Sequence, residues 1–176
     1  HTKSPRWNGE PLEGKRILLI GEQGLGDEIM FANVLPDIVR MVGETGKLQI
    51  AVDTRLIPIF RRSFPLAEVG RYGHRQVNGC EVRACPWATS QGEPDYHASL
   101  GTPLHLLRKT LADFPREPYL VADAAKTAQF RDRLAALGPP PYVGVCWRSM
   151  VLGRKRRKYF GAIEGWGPIL ATPNVT

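Results

Sequence analysis

The chain has 176 residues, with 24 Lys and Arg against 17 Asp and Glu, a formal net charge of +7 and 43% hydrophobic residues. That apolar content excludes an intrinsically disordered chain, and no apolar run approaches the ~18 residues that a bilayer span needs. Three cysteines are an odd number for a disulfide framework and point to a reducing, cytoplasmic compartment.

Residues 1–14 contain no apolar leader segment and start without Met, so the sequence is expected to begin inside a longer protein. They read as an arm, broken by Pro and Gly, with Trp7 and Leu12 docking on the domain. Residues 16–21 (RILLIG) form a nearly continuous apolar run, as in a strand buried on both faces of a parallel sheet. Apolar spacing predicts a helix over 27–42, ended by Gly43. A second strand is expected at 47–52 and a short helix at 54–62, broken before Pro65. Residues 66–100 are rich in glycine and polar side chains, with short strands expected near 67–71 and 96–99. A helix at 103–112 and an extended piece at 118–120 follow. Residues 123–138 read as a helix with Asp123 as N-cap and Gly138 as C′.

The triple proline at 139–141 reads as a linker. YVGVCW (142–147) then restarts an apolar strand, a basic loop with the run 153–158 follows, and 161–170 starts a further helix. Alternating strands and helices predict an α/β protein with a parallel sheet. The expected organisation is an arm at 1–14, a first domain at 15–138, and a linker with the beginning of a second domain at 139–176.

The stretch EQGLGDE (22–28) raises the chemical question. A dinucleotide fingerprint needs a third glycine where Ile29 stands, and a Walker loop needs Lys followed by Ser or Thr. A helix N-terminus attracts anions through its free amides and its dipole. Asp27 would satisfy those amides itself and repel a pyrophosphate. Two readings remain open on spacing. In the first, Asp27 is a helix N-cap worth ~1 kcal/mol, with Gly24 and Gly26 making the bend. In the second, the turn holds the Asp27 carboxylate at the carboxyl end of a sheet strand, where open α/β folds bind ligands. There it can take a proton from a hydroxyl, and the dipole is expected to keep it ionised.

Other candidates carry less pattern. His97 is expected near a strand end, as a sugar-hydroxyl ligand or a structural histidine. Gln23 and Asn33 are candidates for reading an acceptor. Trp147 and Trp166 are expected in the core. Cys80, Cys85 and His74 are near one another, but the C-x4-C spacing is loose and no second pair follows, so no metal site is expected.

RILLIGEQGLGDEIMFANVLPDI (16–38) resembles the opening of the glycosyltransferases related to bacterial heptosyltransferases, glycosyltransferase family 9. The closer likeness is to the glycosyltransferase-like half of bacterial tetratricopeptide-repeat proteins. It extends to W-x-G-x-P-L-x-G-K (Trp7–Lys15), R-S-F-P (Arg62–Pro65), S-L-G-T-P (Ser99–Pro103), P-Y-L-x-A-D (Pro118–Asp123) and V-G-x-x-W (Val143–Trp147). This resemblance implies a GT-B architecture of two Rossmann-like domains with the active site in the cleft between them. It implies inverting, metal-independent transfer from a nucleotide sugar to a glycan or protein acceptor, with no cofactor beyond that donor substrate. Asp27 then stands at the position of the general base, and Gly24, Gly26, Gln23 and His97 are the candidate substrate-binding residues to go with it. Ser149 and Lys158 fall where donor phosphates are held. The resemblance further implies tetratricopeptide repeats upstream. Because the sequence stops one helix into the second domain, the segment alone is expected to be inactive.

Two other functions compete. A GT-B relic attached to repeats would recognise a protein or glycan without chemistry. Nucleic-acid binding through 153–158 would show steep salt dependence, but no reader motif or interleaved aromatic accompanies the run.

Overall fold

A computed structural model describes residues 3–146 and 161–176. The chain divides into two compact units, His1–Ala122 and Asp123–Thr176.

The first unit is built on a parallel four-stranded sheet in the order β3-β2-β1-β6, consistent with the Rossmann-like sheet expected. Its strands are β1 (Arg16–Ile20), β2 (Lys47–Val52), β3 (Glu68–Arg71) and β6 (Tyr96–Ser99). The apolar run RILLI becomes β1 because it has neighbours on both sides: Ile17 pairs with Leu48 of β2 and with Tyr96 of β6. Every interior backbone amide and carbonyl then has a partner, which burial requires.

Strand alternation sorts the side chains between two faces. Ile17, Leu19, Leu48, Ile50 and Val52 pack with Leu35, Ile38 and Phe60 from the helices. Leu18 and Ala51 point to the other face, where Ala88 and Trp87 cover them. The covering turn is the 3-10 segment Pro86–Thr89. It lies so close to the sheet that a Cβ on Gly70 would fall 2.4 Å from the Trp87 ring, and Trp87 Nε1 donates to the Arg71 carbonyl at 2.7 Å.

The helices follow the apolar spacing, with one shift. α1 (Leu25–Phe31) begins two residues earlier than the spacing predicts, and a 3-10 turn (Ala32–Val34) separates it from α2 (Leu35–Val42). Gly43 ends α2 with φ +66, where a side chain would be strained. α3 (Ile57–Ser63) follows a 3-10 turn capped by the Asp53 carboxylate.

Between β3 and β6 the chain makes an antiparallel hairpin that periodicity does not predict, β4 (Gly73–Val77) and β5 (Cys80–Ala84). Its turn is Asn78–Gly79, with φ 49 and 77, the left-handed pair that two-residue hairpin loops require. The expected helix at 103–112 is α4 (Thr102–Leu107) plus a separate 3-10 turn at Leu111–Asp113. Residues 118–120 form no strand, although Tyr119 and Leu120 do pack on the core.

The arm docks as expected. Trp7 and Leu12 are each 1% exposed. Trp7 N donates to the His97 carbonyl at 2.9 Å, and His97 N donates to the Pro5 carbonyl at 3.0 Å.

In the second unit, α5 (Ala124–Ala135) is capped by Asp123, whose Oδ1 accepts from Lys126 N at 3.0 Å. The C-cap is Ala136, so Leu137 stands at C′ and Gly138, φ +156, lies one residue beyond the position expected for it. Residues 142–146 do not form the expected strand, and residue 147 lies outside the described residues. Val143 N instead donates to the Thr176 carbonyl at 2.9 Å, and Thr176 N to the Pro141 carbonyl at 3.0 Å. The helix expected at 161–170 is a 3-10 turn (Ile163–Trp166) followed by a short α-helix (Gly167–Leu170), with Trp166 half-buried rather than in a core.

Candidate functional site

The four parallel strands deliver their following loops to one edge. β2 and β3 succeed β1 on one side and β6 lies on the other, so the order reverses between β1 and β6, the place where open α/β sheets form a ligand crevice. Gly21 N donates to the Ala51 carbonyl at 2.7 Å and Leu100 N to the Ile20 carbonyl at 2.8 Å, which extends the sheet to this edge.

The turn after β1 is shaped by Gly21 and Gln23. A Cβ on Gly21 would lie 2.5 Å from the carboxyl carbon of Glu28, so only glycine lets the turn close on that side chain. Gln23 carries the left-handed backbone, φ 59, and its own side chain is exposed. Gly24 is the N-cap of α1 in an extended conformation. Gly26 is not part of the bend: it lies in the first turn of α1, and a Cβ there would meet nothing within 4 Å.

The two acidic residues have opposite fates. Asp27 is at N3 rather than at the N-cap. It is half-buried, and its Oδ2 accepts from Gly24 N at 3.0 Å. Its Oδ1 has no partner among the described residues. Glu28, one residue on, is fully buried. Its Oε1 accepts from the Tyr72 hydroxyl at 2.7 Å and its Oε2 from Asp53 N at 2.9 Å. Glu28 thus pins the start of α1 to the ends of β2 and β3.

The surrounding electrostatics follow from that bond set. Burial, then the Glu28 carboxylate, pushes the Tyr72 phenol up to about 12. The Arg83 guanidinium lies 4.4 Å above the Tyr72 ring, a cation–π contact, and donates to the carbonyls of Gly21 and, at 3.1 Å, Gln23. Hydrogen bonds from the side chain and the amide of Arg55 hold Asp53 down to about 2. Glu22 Oε1 accepts from Gly101 N at 3.0 Å, tying the loop after β1 to the loop after β6.

His97 lies in the strand expected for it, β6, and takes the structural of its two expected roles. It pairs with Leu18, two positions before the end of β1, so it is in mid-strand and not at the edge. Its Nδ1 is 2.9 Å from the Ser4 carbonyl; a carbonyl only accepts, so Nδ1 carries the proton and holds the arm. Asn33 is buried and structural: it donates to the Met30 carbonyl at 2.6 Å and accepts from Arg108 Nε at 3.0 Å. Ser149, Lys158, Trp147 and the basic run 153–158 lie outside the described residues. His74 Nδ1 is 2.9 Å from Glu81, Cys80 is exposed, and burial pushes the Cys85 thiol up to about 11. Among the described residues no cluster of three or more His, Cys, Asp or Glu side chains is placed to hold a metal. No helix among them is long and apolar enough to cross a membrane.

The residues that sequence reasoning passed over are Tyr72, Asp53 and Arg83; Glu28 stands out only as half of an acidic pair, without its buried role. Chemically, the edge offers two carboxylate oxygens without a partner among the described residues, Oδ1 of Asp27 and Oε2 of Glu22, and one carboxylate wholly committed to the fold, on Glu28.

The chain is similar to Protein FlbA of the bacterium Caulobacter vibrioides, 43% identical over 171 residues. The match takes in 97% of this chain but only 29% of that protein, so the chain spans less than a third of the relative's length. No family model and no solved structure matches the chain.

Proposed function

We propose that this segment is the acceptor-side unit of an inverting, metal-independent glycosyltransferase of GT-B architecture, with Asp27 as the general base. The observation that carries the reading is the position of the Asp27 carboxylate. It stands half-buried at the carboxyl edge of the sheet, beside the β1–β6 reversal, with Oδ1 unpartnered among the described residues and Oδ2 fixed by Gly24 N. A base must be ionised, oriented and reachable; the Gly24 bond supplies orientation and the half-exposure supplies reach. In this proposal Oδ1 takes the proton of an acceptor hydroxyl as that oxygen attacks the anomeric carbon of a nucleotide sugar. The nucleotide diphosphate leaves, and the configuration inverts. Donor phosphates would be held by the second domain, with Ser149 and Lys158 as the candidates, and the partners would be the nucleotide sugar, a glycan or protein acceptor and upstream tetratricopeptide repeats.

The test is sugar transfer by a protein carrying this segment with its flanking sequence, assayed over a panel of nucleotide sugars. The expected result is transfer with inverted anomeric configuration, undiminished by a metal chelator. Retention of configuration, or loss of activity on chelation, would overturn the mechanism.

A second reading has an observation of its own. The Asp27–Gly24 bond is also an ordinary helix-start contact worth about 1 kcal/mol, which a non-catalytic GT-B-derived binding module would keep. That module would give no heat with any nucleotide sugar in calorimetry.

A further inference from the structure

The face of the sheet opposite α1–α3 is only partly covered, and a cavity of about 370 Å³ remains between β1, β6 and the β4–β5 hairpin. Its floor is apolar, formed by Leu18 and Ile20 of β1. Arg75 and Arg83 line it from the hairpin, and Thr89 and His97 line it from the covering turn and β6. No acidic side chain lines it.

The four polar groups divide by hydrogen-bonding capacity. Arg75 makes no hydrogen bond or ion pair among the described residues. Arg83 spends donors on the Gly21 and Gln23 carbonyls and makes no ion pair among them. Two arginines therefore line a cavity to which no carboxylate contributes; Arg83 feels the Asp53 carboxylate from outside it, and Arg75 has no such partner among the described residues. Thr89 donates its hydroxyl proton to the Pro86 carbonyl at 3.2 Å, leaving its oxygen as an acceptor. His97 carries its proton on Nδ1 for Ser4, so Nε2, unbonded among the described residues, is an acceptor in the neutral ring. The cavity offers cationic donors on one wall, acceptors on the other and an apolar floor.

We propose that this cavity binds a small hydroxylated oxyanion, its carboxylate or phosphate on Arg75 and Arg83 and its hydroxyls on Thr89 and His97. Its volume lies within the range of small-molecule sites, roughly 300–1,000 Å³. Two guanidinium groups match the flat, paired oxygens of such an anion. Leu18 and Ile20 would meet a ring face. The site does not depend on glycosyl transfer: a non-catalytic module would have it equally. Arg83 connects it to the turn that holds Asp27, so an occupant would press on the same guanidinium that fixes the Gly21 and Gln23 carbonyls.

The test is a nuclear magnetic resonance titration of the full chain, isotopically labelled, with three probes of one scaffold: glucose, glucuronate and glucose 6-phosphate. The expected result is movement of the Leu18, Thr89 and His97 amides with at least one anionic probe and none with glucose at equal concentration. A response to glucuronate alone would identify a carboxylate ligand, and to glucose 6-phosphate alone a phosphate. Arg75→Glu, at an exposed position without partners in the fold, should weaken binding at least about tenfold. Thr89→Val should weaken it less. An equal response to glucose, no response to either anion, or unchanged affinity in Arg75→Glu would overturn the proposal.

Discussion

β1 and residues 142–146 are both short apolar runs, and only the first becomes a strand. β1 has β2 on one side and β6 on the other, and Ile17 is 0% exposed. Residues 142–146 form no strand, and Val143 is 55% exposed. The helices repeat the contrast. α2 buries Leu35, Ile38 and Val42 against the sheet, whereas α5 buries nothing, and Phe130 is half exposed. α5 still forms because its stabilisers are local: the Asp123 cap and a run of good helix formers. A strand has no such local source of stability, since its hydrogen bonds come from neighbours.

This contrast makes hydrogen exchange the measurement with the largest expected effect. The interior amides of β1 should exchange more slowly than those of 143–146 by roughly a thousandfold or more, because only β1 opens with the whole fold. Similar rates would erase the difference between the regions.

Truncation of matched side chains comes next. Phe60→Ala, at a site 0% exposed, should cost about 3–5 kcal/mol in a urea transition. Phe130→Ala should stay within about 0.5 kcal/mol. A comparable loss at both would show that the second unit has a core of its own.

Glu28→Ala should cost about 3 kcal/mol, because it strands the Tyr72 hydroxyl and the Asp53 amide inside the fold. An unchanged urea midpoint would mean that Glu28 does not anchor α1.

The smallest effect is at acid pH. Asp53 is held from 3.8 down to about 2 in the fold, so the stability it contributes is full above 3.8 and is lost as pH falls toward about 2. Asp53→Asn should flatten that part of the stability–pH curve, and an unaltered slope there would remove Asp53 from the acid response.

Much of the first unit was legible because its two central strands, β1 and β2, are buried on both faces. β2 falls at Lys47–Val52 as its apolar run predicts, and Gly43 ends the helix as its position predicts. The hairpin was not legible by periodicity, since HRQV and CEVRA do not alternate cleanly; the Asn78–Gly79 pair was its real signal. At the site, the pair Asp27–Glu28 stood out, but its meaning depended on helix phase. With 3.6 residues per turn, Glu28 falls in line with the buried Ala32 and Leu35 and turns inward, while Asp27 stays half-exposed. The structural reading of His97 was open in the sequence, but its partners, Pro5 and Ser4, lie in an arm whose pairing with β6 no local pattern announces.

The proposed base is tested most directly by Asp27→Asn in a protein carrying this segment with its flanking sequence. Asparagine keeps an oxygen to accept from Gly24 N but cannot take the acceptor proton. The account predicts that the transfer rate falls at least about a hundredfold, while nucleotide-sugar affinity and the unfolding midpoint stay near their starting values. Transfer at the original rate in a folded Asp27→Asn protein would contradict it.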